Sequence, residues 1–131
     1  GFYPCYFFKE RKSKMKEITI AGKTYPLNFG FDFIREMDKR HFVENNGFKF
    51  GTGIQTATLQ LSIKNPLILE DIILSATHTL NSIPSKEEIE KWAIKQAEDN
   101  KLEEVFEGFL TSLKKAPLSK AQVKQLLKSM N

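Results

Sequence analysis

The chain has 131 residues, 40% of them hydrophobic and 27% charged, with one cysteine and a formal charge of +4. That length and apolar content suit a single domain with its own core and leave no room for a second. A lone Cys5 excludes a disulfide framework or a structural zinc site, and no apolar run approaches the roughly 20 residues of a membrane helix.

The net charge misdescribes the body of the chain. Residues 1–14 carry +3, residues 15–110 carry eleven cations against fifteen anions, and the last 21 residues carry five lysines and no acid. An acidic body thus has basic ends, which removes most of the support for a generic nucleic-acid binder. Residues 1–14 read as a leader foreign to the domain, either an appended expression tail or translated upstream sequence, with Met15 as the native start and 15–131 as one domain. The positive charges of this leader follow its aromatic stretch, the reverse of a secretory signal.

From Met15, Lys16 to Ile20 and Thr24 to Leu27 flank Ala21-Gly22-Lys23 and predict a small hairpin. Asn28 is expected to cap a helix reaching about Arg40, with Phe29, Phe33 and Met37 at four-residue spacing and Phe31 and Ile34 beside them. Phe42 to Phe50, centred on Asn45-Asn46-Gly47, reads as a second hairpin or an ordered loop. Thr52 or Gly53 opens a helix to about Lys64 with Ile54, Ala57 and Leu61 as its stripe. Asn65-Pro66 stops it and starts another, so apolar around its whole circumference between Leu67 and Ala76 that it must be central.

Three capping boxes are expected in the C-terminal half: Ser85 to Glu88, Asn100 to Glu103, and Ser119 to Gln122. The stripes behind them are Ile89, Trp92 and Ala93, then Leu102, Val105, Phe106, Phe109, Leu110 and Leu113, then Val123, Leu126, Leu127 and Met130. The fold class that results is mainly α, a helix-dominated α+β domain in which a small N-terminal hairpin precedes a bundle of about five to six helices.

No catalytic constellation emerges. His41 and His78 lack a nucleophile elbow or an HExxH-type neighbourhood and read as surface or capping residues. Glu70-Asp71 falls in the first turns of the central helix, where the helix dipole accounts for it. Gly51-Thr52-Gly53 lacks the span and the Lys of a phosphate loop. The catalytic, cofactor and metal sets are therefore all read as none. Binding signals are better: Lys120, Lys124 and Lys128 stand on one face of the last helix, opposite Val123, Leu127 and Met130.

The run from Met15 to Phe31, with its aromatic-Gly-aromatic step Phe29-Gly30-Phe31, resembles the opening of tail assembly chaperones from long-tailed phages and prophages of Gram-positive bacteria. Phe33 to Lys39, the Asn46 to Gly51 turn and the Asn65-Pro66 helix start resemble the same family, so the likeness spans roughly Met15 to Thr79. The resemblance implies a small, non-enzymatic, mainly helical protein of the bacterial host cytoplasm. Such a protein holds the tape measure protein soluble while tail tube protein gathers around it, and it is absent from the mature virion. The resemblance further implies that many such proteins are made in two forms, the longer by a ribosomal frameshift, and that this chain would correspond to the short one.

A holder of a long helical client needs exposed apolar surface and several copies. The expected groove, for a client helix or for self-association, uses Phe29, Phe31, Phe33 and Met37 of one helix and Phe106, Phe109, Leu110 and Leu113 of another; Lys120, Lys124 and Lys128 are further partner-binding candidates, on a basic helix suited to packing on the acidic body or on an acidic partner. The leader aromatics Phe2, Tyr3, Tyr6, Phe7 and Phe8 are a candidate occupant of a neighbour's groove. The alternative reading is a small basic nucleic-acid-binding regulator using the Lys-rich C-terminal helix.

Overall fold

The chain first reverses at Ala21-Gly22, whose φ angles of 54° and 79° supply the two left-handed residues of a type I′ turn. Strands β1 (Glu17–Ile20) and β2 (Lys23–Pro26) pair antiparallel around it, Ile18 opposite Tyr25 and Ile20 opposite Lys23. Ile18, Ile20 and Tyr25 turn one face into the core, while the Thr19 and Thr24 hydroxyls meet at 2.8 Å on the other. A computed structural model describes residues 14–130, so the leader aromatics, and with them the expectation that they occupy a neighbour's groove, lie outside the described residues.

Helix α1 spans Phe31–Arg40. It begins later than expected because Asn28 does not cap it: the Asn28 Oδ1 accepts the Gly30 N–H at 2.8 Å, closing a local turn before the helix, and Gly30 stands at the cap. Phe29 consequently lies ahead of the helix, with its ring edge-on to Phe33 at 5.0 Å between centroids. The second hairpin forms as β3 (Phe42–Asn45) and β4 (Phe48–Gly51), with Asn46 and Gly47 at φ 53° and 82°. Helix α2 (Gly53–Ser62) ends at Lys64 in the left-handed conformation, where the Lys64 and Asn65 N–H groups return to Leu61 and Gln60 carbonyls.

Asn65 then starts α3 (Leu67–Thr77), its Oδ1 accepting the Leu67 N–H at 3.1 Å across Pro66. Every residue from Ile72 to Thr77 is buried, along with Ile68 and Leu69, which makes α3 the central helix its composition predicts. Helix α4 (Lys86–Glu98) carries the Ser85 capping box: Ser85 Oγ accepts the Glu88 N–H and Glu88 Oε1 accepts the Ser85 N–H, both at 3.0 Å.

The other two expected boxes do not form. Asn100 adopts φ 58° and closes α4 instead, as its N–H and that of Lys101 bond back to Ala97 and Gln96. Ser119 is buried, and its hydroxyl donates to the Leu113 carbonyl at 2.8 Å, tying α6 (Lys120–Ser129) to the end of α5 (Leu102–Lys115).

Helices α1 and α4 pack on α3, α2 packs on α1, and α5 with α6 packs on α2. One apolar cluster joins them, with β1 and β2 laid over it through Ile18, Ile20 and Tyr25. The result among the described residues is six helices and two hairpins, the helix-dominated α+β class expected.

Candidate interaction surfaces

The residues expected to line a groove divide sharply. Phe33, Met37, Phe109 and Leu113 are entirely buried and Phe106 nearly so, Phe29 and Leu110 are half-buried, and Phe31 alone of the apolar set is exposed, at 61%. The expectation of an α1–α5 groove is corrected by the position of α2, which packs on both helices. The α1 stripe is buried against α2 and α3, and the α5 stripe against α2 and α6. Lys120, Lys124 and Lys128 are exposed on α6, whose Val123 is fully buried.

The open apolar surface lies elsewhere, first on the second hairpin. All eight strand residues of β3 and β4 are exposed. Directly opposed residues share a face, so the register Val43–Phe50 and Asn45–Phe48 gathers Val43, Asn45, Phe48 and Phe50 on one side, a face without a single charge. Phe48, Phe50 and Val43 are 68%, 53% and 54% exposed. The opposite face carries Phe42, Glu44 and Lys49, with the Lys49 ammonium 4.1 Å from the centre of the Phe42 ring. That face overlooks α1, where Arg35, Asp38 and Lys39 join Phe42, Lys49 and Gly51 around a shallow hollow.

The second surface is a groove of about 520 Å³ between the start of α3 and the length of α4, closed at one end by Leu102. Its apolar wall comes from Leu67, Leu69, Ile89, Ala93 and Ile94, and its lining includes Glu70 and Glu90 but no cation. Leu67 and Ile94 are exposed at its edges. The signal for this groove was available in the sequence. Leu67 belongs to a helix with more apolar residues than one core can face, and Ile94 stands off the Ile89, Trp92 and Ala93 stripe.

The ionisable side chains serve to join elements. Asp71 on α3 takes His41 Nε2 at 2.7 Å on one oxygen and Arg40 Nη1 at 3.2 Å on the other, fixing the end of α1. Asp71 is thus an inter-helix anchor rather than a dipole partner of its own helix, the role that remains for Glu70 in the first turn. His78 Nε2 lies 3.2 Å from the Asp32 carbonyl and Nδ1 3.9 Å from Glu36. Among the described residues, neither imidazole has a hydroxyl or thiol nucleophile as a hydrogen-bond partner. Among them too, no group of three or more His, Cys, Asp or Glu side chains is placed to hold a metal. Nor is any helix there long and apolar enough to cross a membrane.

Residues 17–128 match the family described as phage tail assembly chaperone protein, TAC. No curated protein and no solved structure gave a significant match.

Proposed function

Because the chain belongs to the phage tail assembly chaperone family, we propose that it holds the tape measure protein in solution while tail tube subunits assemble around that client. A role in phage tail assembly, and hence contact with tail proteins, follows from the family itself. The finer reading makes the tape measure protein the client. It places the work in the host cytoplasm, has the chaperone leave before the virion is complete, and involves no bond made or broken.

The observation that carries it is the apolar α3–α4 groove. A tape measure protein is a long helical chain with apolar stripes, and such a stripe laid along Leu67, Ala93 and Ile94 gains the burial that would otherwise drive aggregation. Glu70 and Glu90 at the lining favour a client helix whose apolar stripe is flanked by Lys or Arg. A long client offers many such sites, so weak single contacts suffice when several copies bind one chain.

The test is co-expression with the tape measure protein of the same phage. The wild-type chain should shift that protein from the pellet to the soluble fraction. Leu67→Asp with Ile94→Asp, which alters only the groove edge, should keep the circular dichroism and melting temperature of the fold and lose the rescue. A tape measure protein that stays insoluble beside the wild-type chain refutes the proposal.

A further inference from the structure

The five lysines after residue 110 take no part in the α3–α4 groove, and a second hollow lies where their helix begins. We infer that this recess, between the segment leading into β1 and the α5–α6 connection, docks an amphipathic segment of another protein whose apolar stripe is flanked by Asp or Glu. The site is separate from the α3–α4 groove and opposite to it in charge.

The recess has a volume of about 440 Å³, room for a few bulky side chains. Its apolar lining comes from Leu27 and Phe29, which follow β2, and from Ala116, Pro117 and Leu118, which join α5 to α6. Leu118 is 48% exposed. The charged residues of the lining are Lys14 and Lys16, and no acid is among them.

These walls are built before any partner arrives. The Ser112 hydroxyl accepts the Met15 N–H at 2.7 Å and donates to the Met15 carbonyl at 3.0 Å. The Met15 side chain lies where a Cβ on Gly108 would come within 2.8 Å of it, and the Lys16 carbonyl accepts the Leu27 N–H at 2.9 Å. The backbone that carries Lys14 and Lys16 is therefore fixed, and a fixed wall loses little freedom on binding.

Charge selects the occupant. Lys114 and Lys115 precede the α5–α6 connection and Lys120 follows it, with Lys124 and Lys128 at steps of about 6 Å along α6. All are exposed, and residues 111–131 contain no acid. Among the described residues, none of these lysines, nor Lys14 or Lys16, is in an ion pair. The basic helix thus draws no counter-charge from the acidic body of its own chain, which leaves the acidic partner. Apolar side chains from such a partner fill the recess while its carboxylates meet the ammonium groups. A nucleic-acid duplex would meet the lysines but leave Leu27, Phe29 and Leu118 uncovered. Residues 1–13, with Lys9, Arg11 and Lys12 against Glu10, bring like charge toward Lys14 and Lys16.

Two fluorescent peptides of about 18 residues, long enough to form a helix, test it in anisotropy titrations of the purified full chain. Both carry the same leucine stripe, flanked by Glu in one and by Lys in the other. The Glu-flanked peptide should bind the wild type and the groove variant Leu67→Asp with Ile94→Asp equally. It should bind roughly tenfold more weakly to Leu118→Asp and to Lys14→Glu with Lys16→Glu. In the groove-variant background the Lys-flanked peptide should bind only once Lys14→Glu with Lys16→Glu is added, a gain that a damaged fold cannot imitate. A Glu-flanked peptide that ignores the wild type overturns the inference, whether or not residues 1–13 fill the recess. One that loses affinity in the groove variant and keeps it in Leu118→Asp overturns it too. So do a DNA duplex that displaces the peptide by binding more tightly, which assigns the lysines to nucleic acid, and self-association on sedimentation that Leu118→Asp abolishes, which assigns the recess to a second copy.

Discussion

Asp38 Oδ1 accepts the backbone N–H of Gly53 at 2.8 Å, so a side chain on α1 caps α2 from across the hairpin that separates them. The side chain of Thr52, the residue at the cap position, meets the Thr56 hydroxyl at 3.4 Å but caps no backbone N–H of the helix, which leaves Asp38 to satisfy the first free donor. Asp38→Ala should cost about 1–2 kcal/mol in urea unfolding, with faster amide exchange in residues 42–51 than elsewhere. The close approach also requires glycine. A Cβ at position 53 would lie 2.5 Å from Met37 Cβ and 2.8 Å from the Met37 carbonyl carbon, so Gly53→Ala should lower stability by about 1–3 kcal/mol.

Phe31 and Phe33 lie two residues apart on α1 and face opposite environments, one exposed and one fully buried. Phe33→Ala, like Phe109→Ala on α5, should destabilise by about 3–5 kcal/mol through the burial forfeited and the cavity left behind. Phe31→Ala should stay within about 0.5 kcal/mol. Chemical denaturation of the three variants checks this. A large effect at Phe31 would show that α1 packs on something in solution that the single chain lacks.

Elements with a local cause could be read directly from the residues. Asn46-Gly47 dictates its turn, Asn65-Pro66 its helix start, and Ser85 with Glu88 its reciprocal cap, whatever surrounds them. Asn100 and Ser119 spell the same cap in letters, but their outcome depends on neighbours: a helix already ending at Glu98 in one case, and the Leu113 carbonyl of the preceding helix in the other. The partner-binding surface was harder still. A helical stripe such as Phe33 and Met37 says that a face will be covered, and nothing in it distinguishes α2 of the same chain from a foreign helix. Conversely, alternation in β3 and β4 fixes which residues share a face, while the absence of a third strand or helix over Phe48 and Phe50 among the described residues is decided by the path of the whole chain.

The first turn offers a test of backbone strain free of side-chain contacts. Ala21 and Gly22 both hold positive φ, and a Cβ added at Gly22 would meet nothing within 4 Å. Gly22→Ala should therefore destabilise by about 1 kcal/mol from conformation alone. Ala21→Gly removes the same strain one residue earlier and should stabilise by a few tenths to about 1 kcal/mol, the gain reduced by the greater freedom of glycine in the unfolded chain. Opposite signs at adjacent positions in thermal melts would establish the type I′ geometry in solution.

The lysine row on α6 separates the assembly reading from the nucleic-acid one. Lys120, Lys124 and Lys128 are exposed while Val123, which anchors the helix, is buried, so changing all three to Gln leaves the packing of α6 intact. If an apolar groove on α3 and α4 does the work, client capture by the triple variant should match the wild type. Capture should also change little between about 50 and 200 mM salt, since few counterions are released when apolar faces meet. A regulator acting through these lysines would behave otherwise. Its affinity for a DNA or RNA duplex, followed by fluorescence anisotropy, would fall steeply with salt and flatten in the triple variant, because each phosphate that no longer meets an ammonium group takes close to one unit off the logarithmic slope. Salt-steep nucleic-acid binding that disappears in the triple variant, together with failed client capture by the wild type, would transfer the function from the groove to α6.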